Sequence, residues 1–200
     1  MIDPRFAIVG AILPILGNLR YAQATLRGRA HPNRVSWALW ALVPLIAFAA
    51  EVSAGVGLAS LVTLALGLGP LLVLAASVGS RRAFTRLERW DIGSAACAVA
   101  ALVVWAVSAR GYLAVGASVF ADAFAALPTI RKAYRTPQTE SPSAFIASAL
   151  GSLLTLFTLR RLTVDDAAFP AWVVLGGGSI GLLVARKRLR TLISRAAGRP

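Results

Sequence analysis

The residue best placed to do chemistry is Asp122, an acid near the middle of GYLAVGASVFADAFAALPTIRKAYR, the stretch from Gly111 to Arg135. An ionisable group held at membrane depth is costly and by default marks a functional site. At helical spacing Ser118, Asp122, Ala125 or Ala126, and Thr129 share one face, whereas Phe120, Phe124 and Leu127 share another. The chemistry open to such a carboxylate is protonation coupled to the filling of a site. The alternative is a structural carboxylate, hydrogen-bonded to a neighbouring helix, for example to a serine of the sixth apolar run.

Other polar side chains could line a solute path. Asn18, an amide in the first apolar run, lies close to the position equivalent to Thr129, so the two could hold a solute hydroxyl or carboxylate between them. Ser148, Ser152 and Thr155 recur at helical spacing, as do Ser60, Thr63, Gly67 and Pro70; such stripes serve close helix packing or line a pocket. Trp37, Trp90, Trp105 and Trp172 lie near the ends of apolar runs, where an interfacial aromatic belt is expected. Trp40 lies deeper, as a stacking surface for a small ligand. Pro14, Pro44 and Pro128 fall inside apolar runs, where each removes a backbone hydrogen bond and permits a kink; with Pro142 they are the candidate hinges. His31, in a basic loop, is expected to be solvated, and Cys97, the single cysteine, to be a small packing residue. No nucleophile and base pairing, phosphate-gripping glycine loop or metal-ligand spacing appears, so the sequence points to no enzyme, no cofactor and no metal.

Positioning these residues falls to successive apolar runs. With 58% hydrophobic and 14% charged residues and a mean hydropathy of +0.72, the chain has too little polar surface for a soluble globule of 200 residues. It reads as an all-α membrane protein with spans at Phe6 to Leu26, Val35 to Glu51, Gly55 to Val78, Ile92 to Ala109, Tyr112 to Ile130, Ser143 to Leu159 and Phe169 to Ala185, most near the ~20 residues that cross a bilayer. The net charge of +13 would suggest nucleic acid in a soluble protein, but the placement of the basic residues argues against that partner. With seven spans, 17 of the 21 Lys and Arg fall toward the end of span 1 (Arg20) or in the segments after spans 1, 3, 5 and 7, and the other 4 are Arg5, Arg110, Arg160 and Arg161. The positive-inside rule then places the amino terminus outside and the carboxyl terminus in the cytoplasm of a plasma membrane. The leading MIDPR carries no net positive charge, so the first run is read as a retained span rather than a cleaved signal.

The first and second halves share a pattern. LGNLRYAQATLRGRAHPNRVSWALWAL leaves a helix, crosses a basic loop and enters the next helix at Ser36; LPTIRKAYRTPQTESPSAFIASAL does the same at Ser143. Gly17 and Asn18 can be laid over Pro128 and Thr129; a second register pairs Pro14 with Pro128 and Pro32 with Pro142. Both halves end on a glycine-bearing helix, with Gly67 and Gly69 in one and Gly176, Gly177 and Gly178 in the other. Two parallel three-helix units require one inverting helix between them. The expected divisions are residues 1–80 for the first unit, 81–110 for a basic loop and linker helix, 111–186 for the second unit and 187–200 for a basic cytoplasmic tail.

This arrangement resembles the SWEET and PQ-loop transporter superfamily, whose members have seven helices in a 3+1+3 order. In that family a Pro-Gln or Ser-Pro pair sits near the inner end of helices 1 and 5, followed by a basic loop and a serine or proline opening the next helix. Pro128-Thr129, then Arg131, Lys132, Arg135, Thr139, Glu140, Pro142 and Ser143, are similar to that signature, with threonine in place of glutamine. Pro137-Gln138 is read as a loop sequence rather than the signature. The resemblance implies a carrier in the lipid bilayer for a small-molecule solute, a sugar, amino acid or organic acid, working by alternating access and open to proton coupling. A non-transporting receptor or complex subunit on the same fold is the alternative, and homo-oligomerisation is left open.

Overall fold

A computed structural model describes residues 3, 6–53, 60–80, 83, 86–107, 111–159 and 163–196. Among them the chain forms seven α-helices and no strand: α1 (Phe6–Leu26), α2 (Arg34–Ser53), α3 (Ser60–Gly79), α4 (Arg89–Val107), α5 (Gly111–Arg135), α6 (Ser143–Thr158) and α7 (Val164–Ala196), with a 3-10 turn at Pro137–Thr139. The segments Arg89–Val107 and Asp166–Arg186 are long and apolar enough to cross a membrane, and Arg34–Ala49, Leu66–Gly79 and Ser143–Thr158 are shorter apolar helices. The expected start of the third span at Gly55 lies outside the described residues. So do Arg5, Arg81, Arg82, Arg110, Arg160, Arg161 and Arg199 of the charge split, and the side chains of Ser60 and Thr63.

Helix ends follow local chemistry. α1 stops where Gly28 takes φ 68°, a left-handed conformation open to glycine, and the amides of Arg29 and Ala30 fold back on the Ala24 carbonyl. Asn33 opens α2, its Oδ1 accepting the amides of Val35 at 3.0 Å and Ser36 at 3.2 Å. α5 continues past the expected end at Ile130 to Arg135, because Ala, Lys and Arg favour helix and basic residues suit its last turn. It ends before Thr136, which precedes Pro137 and is steered away from helical geometry. α7 likewise runs on through the basic residues expected to form a separate tail.

Packing has a regular pattern. Extended contacts join α1 with α3, α2 with α3, α5 with α7 and α6 with α7; across the middle, α1 meets α6 and α2 meets α5, while α4 lies on α5 and α2. Exchanging α1, α2 and α3 for α5, α6 and α7 leaves every pair that does not involve α4 unchanged. The α1 and α6 pair is the tight one. A Cβ on Gly10 would stand 2.8 Å from the Gly151 carbonyl oxygen, and one on Gly17 2.7 Å from the Ser143 carbonyl oxygen, so these backbones meet only because glycine has no side chain. Pro14 lacks the N–H that would have bonded the Gly10 carbonyl, and that freed carbonyl lies against Gly151.

The centre of the bundle is aromatic. Tyr21 and Trp37 are fully enclosed with ring centroids 4.7 Å apart, and Phe145 packs edge-on to Tyr21 at 5.9 Å. Polarity is inverted relative to a soluble protein: Asn18, Thr25, Asn33, Ser36, Ser77, Asp91, Thr129 and Glu140 are buried, while every helix exposes large apolar side chains, among them Ile8, Ile46, Leu72, Val103, Phe120, Leu150 and Leu182.

Among the candidate hinges, Pro14, Pro44 and Pro128 lie inside helices. Pro142 does not. It occupies the cap position before α6 with φ −74° and ψ −11°, where its missing N–H breaks no helical hydrogen bond.

Candidate functional site

A cavity of about 230 Å³ lies between α2, α4 and α5, with Phe169 of α7 at its edge. Leu39, Trp40, Val43 and Pro44 come from α2; Ala98, Leu102 and Trp105 come from α4; Ser118, Ala121, Asp122 and Ala125 come from α5. The α5 residues lie at helical spacing on the face that the sequence assigns to Asp122. Small residues at 121 and 125 leave room for the space, and Pro44 on the facing helix has no long side chain to fill it.

Among the described residues, Asp122 is the only acid on the wall. Its Oδ2 accepts a hydrogen bond from the indole N–H of Trp172 at 2.7 Å, and the Trp40 indole also reaches it. The serine of α6 expected as its structural partner is not the one found; a tryptophan of α7 takes that place. Ser118 donates to the Val115 carbonyl at 2.8 Å, which leaves its oxygen free to accept from the cavity.

The structure brings together Asp122, Ser118 and Trp40, and leaves other candidates elsewhere. Asn18 donates to the Pro14 carbonyl at 2.9 Å and lies against Gly69 of α3, and its Oδ1 is buried without a partner. Thr129 is fully enclosed with an unpartnered hydroxyl. Neither lines the cavity, nor do Ser148 and Ser152, which are half-buried on α6. The cavity is formed by α2, α4 and α5, while glycines close the α1 and α6 interface.

Two readings of the tryptophans change. Trp172 and Trp105, expected in an interfacial belt, face the bundle: one bonds Asp122 and the other lines the cavity. Trp37 is enclosed in the core, and Trp90 alone is exposed, with the Arg131 guanidinium 5.2 Å from its ring centre.

At the end of the bundle bearing the basic loops stands a polar cluster whose members Lys132 and Glu140 belong to the signature above but whose pairing, and the part of Tyr21 in it, pattern reading missed. Glu140 has no exposed side-chain area; Lys132 donates to its Oε1 at 2.7 Å and Tyr21 to its Oε2. Lys132 also donates to the His31 carbonyl, and the His31 amide donates to the Thr139 carbonyl at 2.7 Å, so the two interhelical loops are stitched together. His31 is half-buried there, not solvated as expected. Burial raises the Glu140 carboxyl above its ordinary value, and the charge of Lys132 partly offsets this. The available signal was a lone acid in a basic loop. Nearby, Asn33 donates to Asp91 at 2.9 Å and Arg34 to Ser77 at 2.9 Å, tying α4 and α3 to the same end.

No family model matches the chain, and no curated protein or solved structure matches it.

Proposed function

We propose that this protein is an integral membrane carrier for a small solute that works by alternating access between two three-helix units. The observation that carries the reading is the placement of Asp122: an acid lining a cavity walled by α2 from one unit and α5 from the other. At ~1.5 Å per residue it lies roughly 16 Å along α5 from Gly111, near the middle of a bilayer. Intramembrane acids face cavities and solute paths.

Three features support the wider reading. The apolar exterior on all seven helices suits lipid rather than water. The helix contacts that survive exchange of α1, α2 and α3 for α5, α6 and α7 are those two parallel repeats would make, with α4 as the inverting linker. The same arrangement underlies the resemblance to the SWEET and PQ-loop superfamily. By the charge split the basic loops are cytoplasmic, in a plasma membrane with the amino terminus outside. The polar cluster at Glu140 closes that end, while Trp105, Ser118 and Phe169 place the cavity toward the other.

Uptake into sealed vesicles containing the purified protein tests the proposal. A carrier accumulates or equilibrates its solute faster than protein-free vesicles do; saturable binding with no uptake of any bound solute would make it a receptor instead.

A further inference from the structure

Resting on that carrier reading for the use of the site, we infer that the cavity at Asp122 takes an organic cation with an apolar or aromatic body, bearing at least one N–H on its charged nitrogen. Among the described residues, Asp122 supplies the only formal charge on the wall, and it is negative. A carboxylate has about four acceptor positions. The indoles of Trp172 and Trp40 engage it from the protein, leaving acceptor capacity for an ammonium, with the Ser118 oxygen alongside.

The rest of the lining selects the body of the ligand. Trp40, Trp105 and Phe169 present aromatic surface, and Leu39, Val43 and Leu102 are aliphatic. Aromatic faces attract cations and pack flat apolar groups. A sugar would leave most of its hydroxyls without partners on such a wall. An organic acid would meet a like charge where water is scarce. Of the solute classes that the sequence left open, a sugar and an organic acid fit the chemistry of the wall poorly, and an amino acid fits it through its ammonium but not its carboxylate. A simple protonated amine, outside those classes, fits it well.

The test uses the full chain in lipid nanodiscs and three probes of similar shape: 2-phenylethylammonium, 2-phenylethanol and 3-phenylpropanoate. Binding is read from tryptophan emission, since Trp40, Trp105 and Trp172 all stand at the site. The expected result is saturable binding of the cation about tenfold or more tighter than the alcohol, with the carboxylate weakest. Asp122→Asn should bring cation and alcohol to similar affinity. Retained binding of the alcohol would show that the variant keeps its cavity; if the variant does not fold, the order of the three probes on the unaltered protein decides. Equal binding of the three probes, preference for the anion, or no saturable binding of the cation would overturn the inference. Uptake separates it from the carrier reading: cation binding without uptake keeps this inference and removes the carrier, whereas uptake of a sugar without cation binding does the reverse.

Discussion

Tyr21 and Lys132 bond the same carboxylate, Glu140, from corresponding places on α1 and α5. The correspondence follows when Gly17 and Asn18 are laid over Pro128 and Thr129. In that register buried positions coincide: Gly10 with Ala121, Asn18 with Thr129, and Ala22 with Ala133. The rival register would set buried Gly17 and Asn18 over half-buried Arg131 and Lys132. A loop acid is thus held by one helix from each half, and the end of the bundle opposite the cavity is closed by a charge with two donors.

Removing one donor should expose how that charge is held. Lys132→Met leaves an enclosed carboxylate without its cation and should destabilise the protein by about 3–5 kcal/mol. Tyr21→Phe removes a neutral donor and should cost about 1–3 kcal/mol. Adding Glu140→Gln to Lys132→Met should recover most of the loss, because no buried charge then remains. Unfolding of the four proteins in the same detergent, arranged as a double-mutant cycle, checks this; an additive result would deny the pairing.

The pH dependence has a definite sign. The Glu140 carboxyl is raised by burial, so in the window between its unfolded and its folded value the native state binds more protons than the unfolded state. Stability therefore falls as pH rises through that window and is greater below it. Comparing thermal unfolding of the unaltered protein with Glu140→Gln across the acid range isolates this contribution. The variant should lose part of the downward slope; identical slopes would mean that Glu140 does not titrate this way.

Most helices were legible because apolar runs near twenty residues long are bounded by Arg, Gly and Pro; α1 spans the expected residues, Phe6–Leu26. Their ends were less legible where basic residues continue a helix, as at Arg131 to Arg135, since hydropathy falls while helix propensity does not. The face of Asp122 could be read from spacing alone. Its partner could not, because Trp172 lies 50 residues away and only the contact of α5 with α7 brings it there. Glu140 could be read as part of the loop signature, but its partner Tyr21 could not, because Tyr21 lies 119 residues away and only the fold brings it there.

Glycines divide into two groups with opposite expected effects. A Cβ at Gly151 would collide with the Gly10 carbonyl, so Gly151→Ala should force α1 from α6 and lower stability by more than 1 kcal/mol, on the order of an overpacked core. Gly93 and Gly116 have open space around an added Cβ, so alanine there should stabilise by up to about 1 kcal/mol. Melting temperatures of the three single variants check the contrast, and a harmless Gly151→Ala would refute the close approach.

Orientation can be tested without a substrate. Single cysteines at Thr163 and Leu87, in a Cys97→Ala background, should behave oppositely toward an impermeant thiol reagent added to intact cells. Thr163 precedes α7 at the end away from the basic loops, and Leu87 precedes α4 at the basic end. Labelling is expected at residue 163 and not at 87. The reverse pattern would overturn the placement of the basic loops in the cytoplasm and leave the helix packing untouched.

The last prediction concerns coupling. On a single carboxylate a proton and an ammonium exclude one another, because each is held by the same oxygens. Asp122 has no counterpart on α1: in the register above it falls opposite Ala11, so on the proposed carrier reading the coupling would rest on this one half. A carrier built this way takes up one as it releases the other when the bundle opens to each side in turn. Asparagine at 122 can still accept from Trp172 but cannot titrate. In proteoliposomes, Asp122→Asn should therefore retain the fold and lose concentrative uptake driven by an imposed proton gradient, while equilibration of a neutral analogue continues. If the variant still concentrates a cation with the gradient as the unaltered protein does, Asp122 holds α5 to α7 and coupling resides elsewhere.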